Sequence, residues 1–184
     1  MRSPIPWSPS LPILVGLNTA LTTAAICLGA DLSGLGASST VFGVGVSSGA
    51  ACDRAAAVTT ILGGNLLVGG ALLAGACTMG GFTLLTLRVN GFMLGASGSL
   101  LLQEFPTASH LLWRYAPLEF GAFAIVAGTS QHLAQGVFRG LAFDEAPPFG
   151  VSLVGLAAWA TLLFVAEVLE SDVYCLLRRG IGGG

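Results

Sequence analysis

Five times along this chain of 184 residues an apolar stretch runs at about the length of 20 residues that a helix needs to cross a bilayer. These stretches fall at 11–30, 56–77, 80–102, 116–135 and 149–168. Segments of that length leave no polar face with which a soluble fold could meet water. Composition agrees: 54% of the residues are apolar and 9% are charged, against about 25% charged in an ordinary soluble domain. The expectation is an all-α, polytopic transmembrane helical bundle of about five spans, formed as a single domain over residues 1–184.

The connections qualify that picture. Residues 31–54 are rich in Gly and Ser and form the longest link, expected at the bilayer surface. Met79, Gly80 and Gly81 leave little room between the second and third stretches, which predicts a tight antiparallel hairpin. Residues 103–115 mix Pro106, His110, Trp113 and Arg114, a polar and aromatic blend suited to an interfacial or re-entrant segment. Asp144, Glu145, Pro147 and Pro148 form an acidic turn, and 170–184 reads as a polar tail. The first stretch carries Asn18, Thr19, Thr22 and Thr23 and lacks a small-x-small cleavage site, so it is expected to be a retained helix rather than a signal peptide.

Charge excludes one class of function. The net charge is −2, and the largest basic cluster is Arg178-Arg179, so nucleic acid has no electrostatic footprint here. All seven cationic residues are arginines. With five spans, Arg54, Arg114, Arg178 and Arg179 share one face, and the arginine bias of cytoplasmic loops places the tail in the cytoplasm. The four cysteines are scattered without CxxC spacing and are expected to act as small hydrophobes, without a metal or disulfide role. No cofactor is implied.

Function must then come from polar residues inside the spans, where an ionisable side chain is costly and faces a bundle interior. Arg88, Asn90 and Glu119 are expected to form one buried polar cluster that a partner or small ligand contacts. A simple hairpin opposes this, since Arg88 lies about 21 Å and Glu119 about 5 Å from the shared face. Their meeting requires the 114–117 segment to enter the membrane more deeply. In the shallower reading Pro117 opens the fourth helix, and Glu119 complements the macrodipole in its first turn. Asn65, Gly75, Gly91 and Gly95 are expected at helix-packing contacts, small residues letting backbones approach in lipid. Asn90-Gly91 is a candidate kink.

The run Asn65-Leu66-Leu67, then Gly75, then Gly80-Gly81-Phe82, then Asn90-Gly91 through Gly95 resembles the stage II sporulation protein M-like (SpoIIM-like) membrane family. Ala116-Pro117-Leu118-Glu119, leading into Ala127-Gly128, continues the resemblance, which covers about residues 65–136. The family often has Pro-His-Gly before the glutamate, and this chain departs from it there. The resemblance implies a non-enzymatic, multi-pass subunit of a bacterial envelope complex in the inner membrane. Its partners would be other envelope proteins, a peptidoglycan hydrolase or an ABC-type ATPase of an export or immunity system, and it would work as a homo-oligomer or complex subunit.

Two rivals remain open. A small transporter or permease subunit would turn Arg88 toward an anionic substrate. A rhomboid-like intramembrane protease would use Ser97, within Gly95-Ala96-Ser97-Gly98, with His132 as base. Nucleophile and base must approach within hydrogen-bond reach, and the hairpin puts Ser97 about 8 Å and His132 about 24 Å from the same face. No catalytic residue is therefore assigned.

Overall fold

The computed structural model describes residues 10–33, 53–104, 109–143 and 149–181, and every regular element among them is helical. The elements are α1 (Leu11–Ser33), α2 (Arg54–Ala74), a short 3-10 turn (Gly75–Thr78), α3 (Gly81–Glu104), α4 (Ser109–Phe143) and α5 (Phe149–Ile181). The expected surface link at 34–52, Pro106, the acidic turn at 144–148, Cys52 and residues 182–184 lie outside the described residues.

Local chemistry explains several boundaries and the survival of polar residues in apolar helices. Asp53 caps α2, its carboxylate accepting from the backbone N–H groups of Ala55 and Ala56 at 3.0 and 3.3 Å. The hydroxyls of Thr19, Thr23, Thr59, Thr60, Thr129 and Thr161 each donate to the carbonyl four residues earlier. Each thus needs no water, which lipid cannot supply. The α2–α3 hairpin closes as expected. Met79 and Gly80 take φ of 53° and 89°, and glycine adopts the second at no steric cost. The Gly80 N–H donates to the Gly75 carbonyl at 2.9 Å.

Inter-helix contacts give an up-down order. Arg54 meets Asp172, Asn65 meets Glu167 and Gly69 meets Trp159, so α2 and α5 are antiparallel. Asn65 meets Glu119, and the Leu73 carbonyl meets Ser130, so α2 and α4 run together. α1 runs with α3: Gly91 faces Thr22, and Gly95 lies so close to α1 that a Cβ there would overlap the Ile26 carbonyl. From the other side, a Cβ on Gly29 would overlap the Phe92 carbonyl. Backbones approach this closely only between small residues. Where α2, α3, α4 and α5 converge, Leu72, Leu87, Ala122, Phe123, Val126, Ala127 and Leu163 form the apolar core.

The outward surface is also apolar, with Ile13, Leu17, Leu28, Leu67, Leu153, Val154 and Phe164 exposed. α1, α2 and α5 are each long and apolar enough to cross a bilayer, over Leu11–Asp31, Arg54–Thr78 and Phe149–Leu176. The protein is a membrane protein on that basis. α3 and α4 fall outside that class: α3 carries Arg88 and Asn90, and α4 carries Glu119, Gln131, His132 and Gln135 along its length.

Four sequence expectations change. α4 runs from Ser109 to Phe143 instead of over 116–135, so 109–115 is helix and Pro117 sits inside it. α5 continues to Ile181 and absorbs most of the expected tail. α3 is unbroken through Asn90-Gly91. Cys175 is disulfide-bonded, whereas Cys27 and Cys77 are free.

A buried carboxylate and amide site

Asn65 stands twelfth in α2 and points at two carboxylates from different helices. Its amide nitrogen donates to Glu119 Oε1 on α4 at 3.0 Å and to Glu167 Oε1 on α5. A primary amide carries two N–H groups, so one side chain serves both. The three residues lie 54 and 102 positions apart in sequence. The parallel run of α2 with α4 and the antiparallel run with α5 bring them to one level.

Helical spacing adds the rest. Tyr115 lies four residues before Glu119, and Glu170 three after Glu167, so each shares a face with its neighbour. Tyr115 interacts electrostatically with Glu170, Glu119 and Glu167, as Glu170 does with Glu119 and Glu167. Glu119 is 8% exposed and Glu167 0%. Glu167 Oε2 and Glu170 Oε2 are both buried without a hydrogen-bond partner. Buried polar groups are nearly always paired, so two orphaned oxygens within one acidic cluster call for a ligand.

The site lies deep. Along α2, Asn65 is about 16 Å from Arg54, and along α5, Glu167 is about 8 Å from Asp172. Arg54 and Asp172 form an ion pair at 2.9 Å that is about half exposed and marks that end of the bundle. Toward the opposite end the apolar core follows directly. Beyond it lies a second polar layer, in which Thr83 donates to the Leu72 carbonyl at 2.9 Å, Ser130 to the Leu73 carbonyl at 3.3 Å, and Asn18 to Gln131 at 3.0 Å, while His132 Nδ1 and Gln135 Oε1 on the same stretch of α4 are buried without a partner. Those bonds tie helices together, as polar residues commonly do within membranes.

The expected cluster of Arg88, Asn90 and Glu119 does not assemble. Glu119 is buried, and with α4 starting at Ser109 it lies about 15 Å into the helix, beyond reach of the macrodipole effect of a first turn. Its partner is Asn65. Arg88 is exposed on α3, about 10 Å from the helix start. Helical side chains lean toward the N-terminus, so its guanidinium reaches toward the hairpin end, as long cationic side chains do near interfaces. Asn90 is half-buried on the same helix, and the amide that donates to Glu119 is that of Asn65. Gly75, Gly91 and Gly95 are at contacts, with Thr83, with Thr22 and Ala25, and with Ile26. Asn65 serves the polar site instead of packing alone.

Sequence reasoning missed Glu167, inside the fifth apolar stretch, and Glu170, placed in the tail. The signal was present: their spacing of three joins them on one helical face if the fifth helix is extended past residue 168. Ser97 and His132 are not brought together. Thr83 faces Ser130, so His132 lies near the start of α3, and Ser97 is about 21 Å farther along that helix. Among the described residues no three His, Cys, Asp or Glu side chains are placed to hold a metal ion.

Chemically, two carboxylates hung from one amide in a water-poor interior cannot both keep an uncompensated charge. The arrangement suits taking up and releasing a proton or a small cation. No protein-family model, no curated protein and no solved structure matches this chain.

Proposed function

We propose that the protein is a multi-pass subunit of the bacterial inner membrane, all five helices crossing the bilayer, that exchanges a proton or small cation during transport. It belongs in this reading with small transporters and permease subunits, and any energy beyond an ion gradient comes from a partner. One observation carries the proposal: Asn65 holds Glu119 and Glu167 together in the bundle interior while Glu167 Oε2 stays unpartnered. Ionisable side chains inside a membrane commonly mark ion and proton pathways, and an unpartnered carboxylate oxygen leaves room to bind one. Reconstitution into liposomes containing a pH-sensitive dye, with a potassium diffusion potential imposed by valinomycin, tests it. Ion flux above that of empty liposomes, lost in Glu119→Gln, is expected. Wild-type flux equal to that of empty liposomes overturns it.

A second reading, a non-catalytic SpoIIM-like scaffold for a hydrolase or an ABC-type system, is supported by a separate observation. Asn65 and Glu119, both within the stretch that carries the resemblance, meet in one hydrogen bond, so the motif forms a structural unit. In that case the liposomes are silent, and gentle purification from native membranes recovers the partner.

A further inference from the structure

We infer that the ligand of this site is the proton, and that Glu170, Glu167 and Glu119 form a relay open toward the Arg54–Asp172 end and sealed from the hairpin end by the apolar core. The inference rests on the transport reading for its purpose but stands on its own geometry.

Three observations lead there. The first is the donor and acceptor inventory. Asn65 supplies its two N–H groups to the two Oε1 atoms, and Glu167 Oε2 and Glu170 Oε2 remain acceptors with nothing to accept from. Binding a proton turns a carboxylate oxygen into a donor and removes the charge in the same step. A metal cation would need several converging oxygens, and no group of three suitable side chains converges among the described residues. The second observation is sequence register. Tyr115 precedes Glu119 by one turn on α4, and Glu170 follows Glu167 by one turn on α5. Because α4 and α5 are antiparallel, both added groups lie on the same side of the pair, toward Arg54 and Asp172. The third is the core. On the other side Leu72, Leu87, Phe123, Val126 and Leu163 are at most 1% exposed and carry no polar atom, and the Trp159 indole packed against them has a buried N–H that can donate but cannot accept a proton.

The groups that face Glu167 are accounted for by element. α4 contributes Glu119 and Tyr115, α5 itself contributes Glu170, and α2 contributes the uncharged Asn65. Arg54 is engaged by Asp172 at the bundle end, and Arg88 of α3 is exposed. In the relay a proton from water at that end binds the Glu170 carboxylate. It then passes to Glu167 or Glu119 while Glu170 regains its charge. Only O–H bonds form and break, and no electrons are transferred.

The test uses the full chain in lipid nanodiscs with Cys27 and Cys77 replaced by serine. Dicyclohexylcarbodiimide, which attacks protonated carboxyl groups in apolar surroundings, is applied across a pH series, and adducts are located by mass spectrometry. Adducts at Glu167 or Glu119 that increase as pH falls, are insensitive to sodium at constant pH, and drop in Glu170→Gln are expected. In vesicles, Glu170→Cys should react with a membrane-impermeant methanethiosulfonate applied from the Arg54–Asp172 side, and Phe123→Cys should react from neither side. An unchanged melting temperature for Glu170→Gln separates loss of relay from loss of fold. No adduct at any pH overturns the inference, as does suppression of labelling by sodium or reaction of Phe123→Cys from the hairpin side. Sodium suppression with ion flux intact removes the proton relay and leaves the transport reading. A pH-dependent adduct without flux does the reverse.

Discussion

At the scale of single residues, the deciding quantity is the cost of a buried group without a partner. Leaving a buried donor or acceptor unsatisfied costs about 1–3 kcal/mol, more when it is charged. Asn65→Leu strips the donor from Glu119 and Glu167 together, so a loss in this range or above is expected in reversible unfolding in detergent. Replacing Asn65, Glu119 and Glu167 all by leucine should recover part of it, because an apolar set leaves nothing orphaned. A triple variant no more stable than Asn65→Leu contradicts this account. Arg88 gives the contrasting case: it is exposed, so Arg88→Leu should fall within about 0.5 kcal/mol of the wild type. Combined with Glu119→Leu its effect should simply add, as for independent sites. Glu119 was legible in the sequence because a carboxylate within an apolar run has no cheap alternative to burial. Its true partner was not, because an asparagine in a membrane helix looks the same whether it bonds to a backbone or to two carboxylates.

At the scale of elements, hydropathy located five helices and the hairpin correctly but misjudged three ends, both ends of α4 and the end of α5. The start of α4, with His110, Trp113 and Arg114, and the end of α5, from Glu170 on, are helical yet polar, and a window that averages hydropathy stops at such residues. The error was consequential, since it placed Glu119 in a first turn and left Glu170 in a tail. The glycine pattern was informative but not selective. Gly95 lies against the Ile26 carbonyl, whereas an added Cβ at Gly98 meets nothing within 4 Å. Gly95→Ala should therefore cost about 1–3 kcal/mol by overpacking the α1–α3 contact, and Gly98→Ala should be neutral or slightly stabilising through helix propensity. Melting temperatures of the two variants in one detergent check the contrast, and equal losses would mean that α1 and α3 are not held by this approach.

At the scale of the whole molecule, the remaining question is which way the bundle faces, and two physical signals oppose each other. Arginine counting compares four residues, Arg54, Arg114, Arg178 and Arg179, with Arg2 and Arg139, and assigns the α5 end to the cytoplasm. That rule describes a bias in insertion, and an excess of two is a weak bias. The disulfide at Cys175 is a chemical requirement, because thiols stay reduced in the cytoplasm of most cells and disulfides persist in oxidising compartments. Cys175 is three residues past Asp172, so it shares an end with the Arg54–Asp172 pair and with the mouth of the relay. We therefore expect that end to face the non-cytoplasmic side, with protons entering from outside. In intact cells expressing the Cys27→Ser, Cys77→Ser chain, a membrane-impermeant maleimide should leave Cys175 unlabelled until an impermeant phosphine reduces it, and should then label it. Labelling that requires lysis would return the α5 end to the cytoplasm and reverse the direction of the relay, whereas labelling of intact cells without reduction would show a free thiol and remove the disulfide from the argument.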